Sequence, residues 1–214
     1  MLSKFIENGF KSTELIDDVF LIEDFITEDE QKYLLNLAEA STEEDWQKAY
    51  LDNLKNFCMQ KFGRDDVDNL VKEGKFEITN NWSDKIILIY HTKESQNITQ
   101  RLIGVLKDYN ELNIPGFGSI QRQYKDVPLK AHTDIHTDPS IQYASIIYLN
   151  DNYNGGEFYF VHKNFEIKPP ARSLLIFPGT DPFEHGVKAP LDGPMRYVLP
   201  GFIHTKDFYK HNRF

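Results

Sequence analysis

The feature that most restricts the fold is a change of texture near Pro115-Gly116. Beyond it, short apolar or alternating segments follow one another closely. Strand candidates cover 119–124, 129–134, 143–149, 157–161, 165–168, 173–177, 183–187 and 195–203. Between them stand Asp138-Pro139, Asn154-Gly155-Gly156, Pro169-Pro170, Pro178-Gly179 and Asp192-Gly193-Pro194. Proline has no N–H for a strand ladder and glycine tolerates positive φ, so these groups end strands and turn the chain. Short strands with frequent turns argue for a β-sandwich or barrel.

Before that point the pattern is mainly helical, apart from strand candidates at 18–22 and 85–90. Thr27 and Glu30 form a capping box: the hydroxyl accepts the third amide and the carboxylate reaches back to the cap. The helix behind it puts Tyr33, Leu34, Leu37 and Ala38 on one face. A second helix starts at Ser41-Thr42 with Trp46, Ala49, Tyr50, Leu54, Phe57 and Cys58 along its face. A weaker helix covers 66–71, and another carries Ile98, Leu102, Val105, Leu106 and Tyr109. The expected fold class is therefore α+β: one domain over 1–214, with 1–112 a mainly helical support and 113–214 the β core.

With 214 residues the chain can bury a core without disulfides or a structural metal. Its single cysteine, Cys58, allows no internal disulfide or zinc-finger pattern and reads as a core residue. No apolar run reaches the roughly 20 residues of a membrane helix, and no signal peptide opens the chain. A reducing, cytoplasmic setting is expected, with no membrane partner. The net charge of −9 lies entirely in residues 1–75, which hold 18 acids and 9 bases; the remainder is balanced. That excludes nucleic acid as a general partner, because phosphate binding needs a basic surface.

The chemistry concentrates at Ala131-His132-Thr133-Asp134. On a strand, residues i and i+2 share a face, so His132 and Asp134 present an imidazole and a carboxylate together. A second histidine would complete a 2-His-1-carboxylate triad, which leaves metal positions open for non-haem Fe(II) oxygen chemistry. His185 is the natural candidate. Arg196, on the last long strand candidate, has a guanidinium fork suited to a carboxylate. A second His-x-Asp, His136 and Asp138, is set aside because Pro139 suggests a loop there. The Gly155-Gly156 pair reads as a tight hairpin turn near the mouth. Trp82 reads as packing at the seam between helices and sheet.

The order of these segments resembles the iron- and 2-oxoglutarate-dependent dioxygenases, specifically their prolyl 4-hydroxylase-like branch. The resemblance is carried by Gln121-Arg122-Gln123-Tyr124, Leu129–Asp134, Ile147-Tyr148-Leu149-Asn150, Asn154–Phe158, Leu174–Pro178, His185-Gly186-Val187 and Arg196-Tyr197. It implies a double-stranded β-helix (jelly-roll) core with an N-terminal layer of supporting helices. It implies His132, Asp134 and His185 as iron ligands. Arg196 would hold the distal carboxylate of 2-oxoglutarate, with the Tyr148 hydroxyl on the same group and Tyr124 near the cosubstrate. The implied cofactors are Fe(II), 2-oxoglutarate and O2, with ascorbate as reductant. The implied reaction hydroxylates an unactivated C–H bond and releases succinate and CO2; peptidyl proline is the first-choice substrate, and a free amino acid or other small molecule the alternative. The segments expected to decide substrate are 62–84 and 135–141. Competing classes are a non-catalytic jelly-roll binding protein and a zinc hydrolase, since His, His and Asp also suit zinc.

Overall fold

The computed structural model describes residues 1–75, 86–89, 91–136 and 139–205. Along the chain run α1 (Leu2–Glu7), β1 (Ser12–Ile16), β2 (Val19–Ile22), α2 (Glu28–Ala40), α3 (Glu43–Phe62), α4 (Val67–Lys72), β3 (Ile86–Leu88) and α5 (Lys93–Val105). The β-rich part follows: β4 (Leu112–Asn113), β5 (Ser119–Gln123), β6 (Leu129–His132), a single 3-10 turn (Asp134–His136), β7 (Ile141–Tyr148), β8 (Asn154–Gly155), β9 (Phe158–Phe160) and β10 (Phe165–Ile167). The chain continues through β11 (Leu174–Pro178), β12 (His185–Val187), β13 (Pro190–Asp192) and β14 (Arg196–Thr205).

Two antiparallel sheets face each other. The larger runs β1-β2-β11-β7-β14-β5-β3, with β4 on β14; the smaller runs β10-β9-β12-β6. Tyr148, Phe158, Phe160, Phe177 and Val198 fill the space between them. On the outer side of the larger sheet, Ile147, Leu199 and Ile203 pack against Leu34, Trp46, Ile98 and Leu102 of the helices. This is the expected jelly-roll core with a helical layer. The sheet nevertheless ignores the change of texture, because β1, β2 and β3 from the helix-rich part belong to it. β2 and β3 fall on the strand candidates at 18–22 and 85–90, whereas β1, a five-residue edge strand, carries too little periodicity to show in a helical neighbourhood.

The helix starts follow their local chemistry. Thr27 caps α2 and Thr42 caps α3, each in a complete capping box. Tyr33 is a correction: it is 43% exposed, and the buried stripe of α2 is Glu30, Leu34 and Ala38. Glu30 is inside because Arg101 forks onto it from α5 at 2.8 and 2.9 Å. Cys58 is buried with Val67 and Leu70, as expected of a core residue. Among the described residues no helix is long and apolar enough to cross a membrane.

β14 sets the register that matters. Its odd residues Tyr197, Leu199 and Ile203 enter the helix-side core, whereas Arg196, Val198, Pro200 and Phe202 line the cavity between the sheets. Side chains alternate along a strand, so a slip of one residue would remove Arg196 from the cavity. Asn150 holds that register: its Oδ1 accepts the Tyr197 N–H at 2.9 Å and its Nδ2 donates to the Met195 carbonyl at 2.8 Å. Both neighbours of Arg196 are thereby tied to the loop after β7.

Candidate active site

His132 ends β6 and His185 begins β12, and the two residues are directly paired across these antiparallel strands. Their rings lie 4.5 Å apart between centroids. Asp134 is brought to them differently from the expectation. The strand stops at His132, and Asp134 opens the 3-10 turn. The end of β11 holds that turn: Ile135 N–H donates to the Gly179 carbonyl at 2.9 Å, and Thr133 Oγ1 donates to Asp181 at 3.2 Å. These contacts replace the ladder bonds a continuing strand would need. Gly179 is required by space, since a Cβ there would sit 2.7 Å from Ile141 Cγ2 and 3.5 Å from Asp134 Cβ.

The three side chains converge. One donor atom from each of His132, Asp134 and His185 lies within 4.8 Å of the others. His132 Nε2 is 3.6 Å from Asp134 Oδ1, and His185 Nε2 is 3.7 Å from Oδ2. Each imidazole bonds through Nδ1, at 3.0 Å, to the carbonyl two residues before it, Lys130 for His132 and Phe183 for His185. A carbonyl only accepts, so Nδ1 carries the proton and the neutral ring's Nε2 keeps its lone pair toward the cluster. Burial, with His132 nearby, pushes the His185 pKa down to about 3, which keeps that ring neutral. Phe158 and Phe177 wall it in, with ring centroids 5.1 and 4.6 Å away. Burial pushes the Asp134 carboxyl above its ordinary value, with His132 acting in the opposite sense. Asp134 Oδ2 is buried without a hydrogen-bond partner. Two aimed lone pairs and an unsatisfied carboxylate oxygen are what a divalent metal needs, so the residues fit one.

The cluster opens on a cavity of about 480 Å³ between the sheets, within the range of small-molecule sites. Arg196 lines the same cavity. It is buried, its Nε has no partner, and among the described residues no acid pairs with it. Tyr148 is fully buried, with its ring centroid 5.1 Å from the Arg196 guanidinium carbon and its hydroxyl unpartnered. Burial lifts the Tyr148 phenol to about 12, against the opposing pull of Arg196, so it is a donor at any physiological pH. The Tyr124 ring carries the Arg122 guanidinium at 4.9 Å, and Arg122, which lines the cavity, forks onto Glu43 of α3. The Gly155-Gly156 pair is not a plain hairpin turn either. Gly155 sits in β8, paired with Pro190 of β13, while both glycines keep positive φ. Sequence reasoning missed Asn150 as an anchor and Tyr153 as a neighbour of Arg196. The Tyr-Leu-Asn stretch carried the first signal, and nothing local carried the second. Trp82, residues 76–84 of the first substrate segment, and Asp138 of the second His-x-Asp lie outside the described residues.

Residues 120–204 match the family model described as the 2OG-Fe(II) oxygenase superfamily. This segment, from β5 into β14, contains the His-Asp-His cluster and is similar to that superfamily, an oxygenase class whose name carries 2OG and Fe(II). Solved structures of the same fold include prolyl hydroxylases. The viral collagen prolyl hydroxylase of Paramecium bursaria Chlorella virus-1, in a truncated form, aligns at 14% identity and TM-score 0.57, covering 92% of this chain and 96% of that one. Its 2OG complex aligns at 12% identity and TM-score 0.53, over 88% and 96% of the two chains. A Pseudomonas putida prolyl-4-hydroxylase aligns at 14% identity and TM-score 0.53, over 95% and 98%. No curated protein matches the chain.

Proposed function

We propose that this protein is a single-domain Fe(II)- and 2-oxoglutarate-dependent dioxygenase that hydroxylates an unactivated C–H bond. The observation that carries the proposal is one cavity holding both a His132–Asp134–His185 cluster with its donors turned inward and an unpaired, buried Arg196. A zinc hydrolase would leave the buried Arg196 and Tyr148 without a purpose.

His132, Asp134 and His185 are the metal ligands in this reading, and their carbonyl partners hold the rings in the binding tautomer. Arg196 and the Tyr148 hydroxyl bind the distal carboxylate of 2-oxoglutarate, which leaves its keto acid end for the metal. With iron bound, the site supplies oxidative decarboxylation of the keto acid to succinate and CO2, with the second oxygen atom delivered to substrate carbon. Phe158 and Phe177 keep water from His185, and the paired sheets hold the ligands rigidly across β6 and β12. Peptidyl proline is the substrate we favour, on the likeness to the two prolyl hydroxylases over nearly the whole chain; a free amino acid or small molecule would use the same machinery.

The test is succinate formation by purified protein with Fe(II), ascorbate, O2 and 2-oxoglutarate, alone and with proline-containing peptides or free amino acids. Metal-dependent succinate, lost in His132→Ala and Arg196→Ala, is the expected result. A wild-type protein that neither forms succinate with any of these nor binds 2-oxoglutarate anaerobically with Fe(II) refutes the reading.

A further inference from the structure

Tyr153 lies in the loop between β7 and β8 and is 1% exposed, yet its hydroxyl has no hydrogen-bond partner. The same is true of the Tyr148 hydroxyl and of Arg196 Nε. Arg196 acts on both phenols, opposing the upward push that burial gives each. Two hydroxyls and the Arg196 Nε are therefore gathered at one buried place. The phenol oxygens can accept from Arg196, but their O–H groups and the Arg196 Nε still lack an acceptor, so the gathering calls for an anion with several lone pairs.

The position of Tyr153 is built, not incidental. Lys168 Nζ donates to the Tyr153 backbone carbonyl, and the ammonium lies 4.7 Å from the ring centroid. Gly156 has a φ of +68°, and a Cβ there would lie 2.8 Å from Tyr153 Cε2 and 3.5 Å from Arg196 Cδ. Gly193 closes the other side, where a Cβ would meet the Tyr153 Cα at 2.9 Å. Glycines thus clear the space that lets this ring stand beside Arg196.

We propose that Tyr153 is a further binding residue, a third donor with Arg196 and Tyr148 to the distal carboxylate of the keto acid, and that Gly156 is there to admit its ring. The proposal rests on the dioxygenase reading above. An ionised carboxylate offers about four lone-pair sites, enough for a guanidinium fork and two hydroxyls. The effect is confined to the distal carboxylate, so it should discriminate a dicarboxylic keto acid from a monocarboxylic one.

The experiment is calorimetric titration of the Mn(II)-loaded protein under argon with 2-oxoglutarate and, separately, with 2-oxobutanoate, which lacks the distal carboxylate. Wild type, Tyr153→Phe and Gly156→Ala are compared, after checking by titration that each binds Mn(II) alone equally. Tyr153→Phe should weaken 2-oxoglutarate by about 10- to 100-fold, the effect of one charge-assisted hydrogen bond, and leave 2-oxobutanoate unchanged. Gly156→Ala should show the same selective loss; if it fails to fold, Tyr153→Phe decides alone. Unchanged 2-oxoglutarate affinity in Tyr153→Phe, or equal weakening of both keto acids, overturns the proposal. Wild-type protein that binds Mn(II) but neither keto acid overturns the dioxygenase reading itself, which is a separate result.

Discussion

Asp134→Asn is expected to stabilise the metal-free protein while destroying its metal binding. In the metal-free site the carboxylate is buried, its Oδ2 has no partner, and its oxygens lie 3.6 and 3.7 Å from the Nε2 atoms of His132 and His185. His185 is neutral and its Nε2 carries a lone pair, so on that side acceptor faces acceptor. An asparagine of the same shape would turn an amide N–H toward it and remove the charge. A buried unsatisfied acceptor costs about 1–3 kcal/mol, and more when charged. For a chain of this size each kcal/mol moves Tm by about 2–4 °C, so the variant should melt about 2–12 °C higher in chelator. The sign with pH follows from burial raising the folded pKa of Asp134 above 3.8. A raised carboxyl contributes stability in its protonated form, fully present below the unfolded value and lost as pH rises through the folded one. The advantage of asparagine should therefore be largest at pH 8 and shrink toward pH 4; His185 is common to both proteins and largely cancels. Thermal melts in EDTA at both pH values, repeated with Mn(II), make the measurement. With Mn(II) the order should invert, because only wild type gains the binding energy. A variant that melts below wild type in EDTA at pH 8, or a gap indifferent to pH, would show that the site is not frustrated as reasoned.

His185 is held neutral at a pKa of about 3, far below 6.5, so protons favour the unfolded chain. Its stability contribution is complete above 6.5 and falls by about 1.4 kcal/mol per pH unit as pH drops toward 3; His185→Leu should flatten that acid slope in urea titrations. Asn150→Ala leaves the buried Tyr197 N–H and the Met195 carbonyl without their side-chain partner. It should cost about 2–4 kcal/mol in denaturant melts and weaken 2-oxoglutarate binding through Arg196. Arg101→Met strands the largely buried Glu30 and releases the Phe25 carbonyl. A loss of about 2–4 kcal/mol is expected, with metal affinity unchanged in a Mn(II) titration.

Features encoded within a few residues were legible without the fold. Thr27 with Glu30 marks one helix start because the capping bonds join residues three apart, and Ser41-Thr42 marks the next; the partner of Thr42, Asp45, came from the structure. The strand-and-turn texture of residues 119–203 announced a closed antiparallel core because turns need proline and glycine at their own positions. His132, Asp134, His185 and Arg196 stood out because metal and carboxylate binding demand particular functional groups wherever the chain puts them. What the tertiary structure alone decided is which of these groups meet, and how. His132 and His185 become neighbours only through the pairing of β6 with β12. Asp134 leaves the strand because Gly179 and Asp181, distant in the chain, hold its turn. Tyr124 meets Arg122, which Glu43 of a separate helix pairs, whereas Tyr153, unremarkable in the sequence, stands beside Arg196 because Gly156 and Gly193 leave it room. Sheet partners and buried polar groups are settled by contacts between distant segments, and no local window of sequence holds both sides of such a contact.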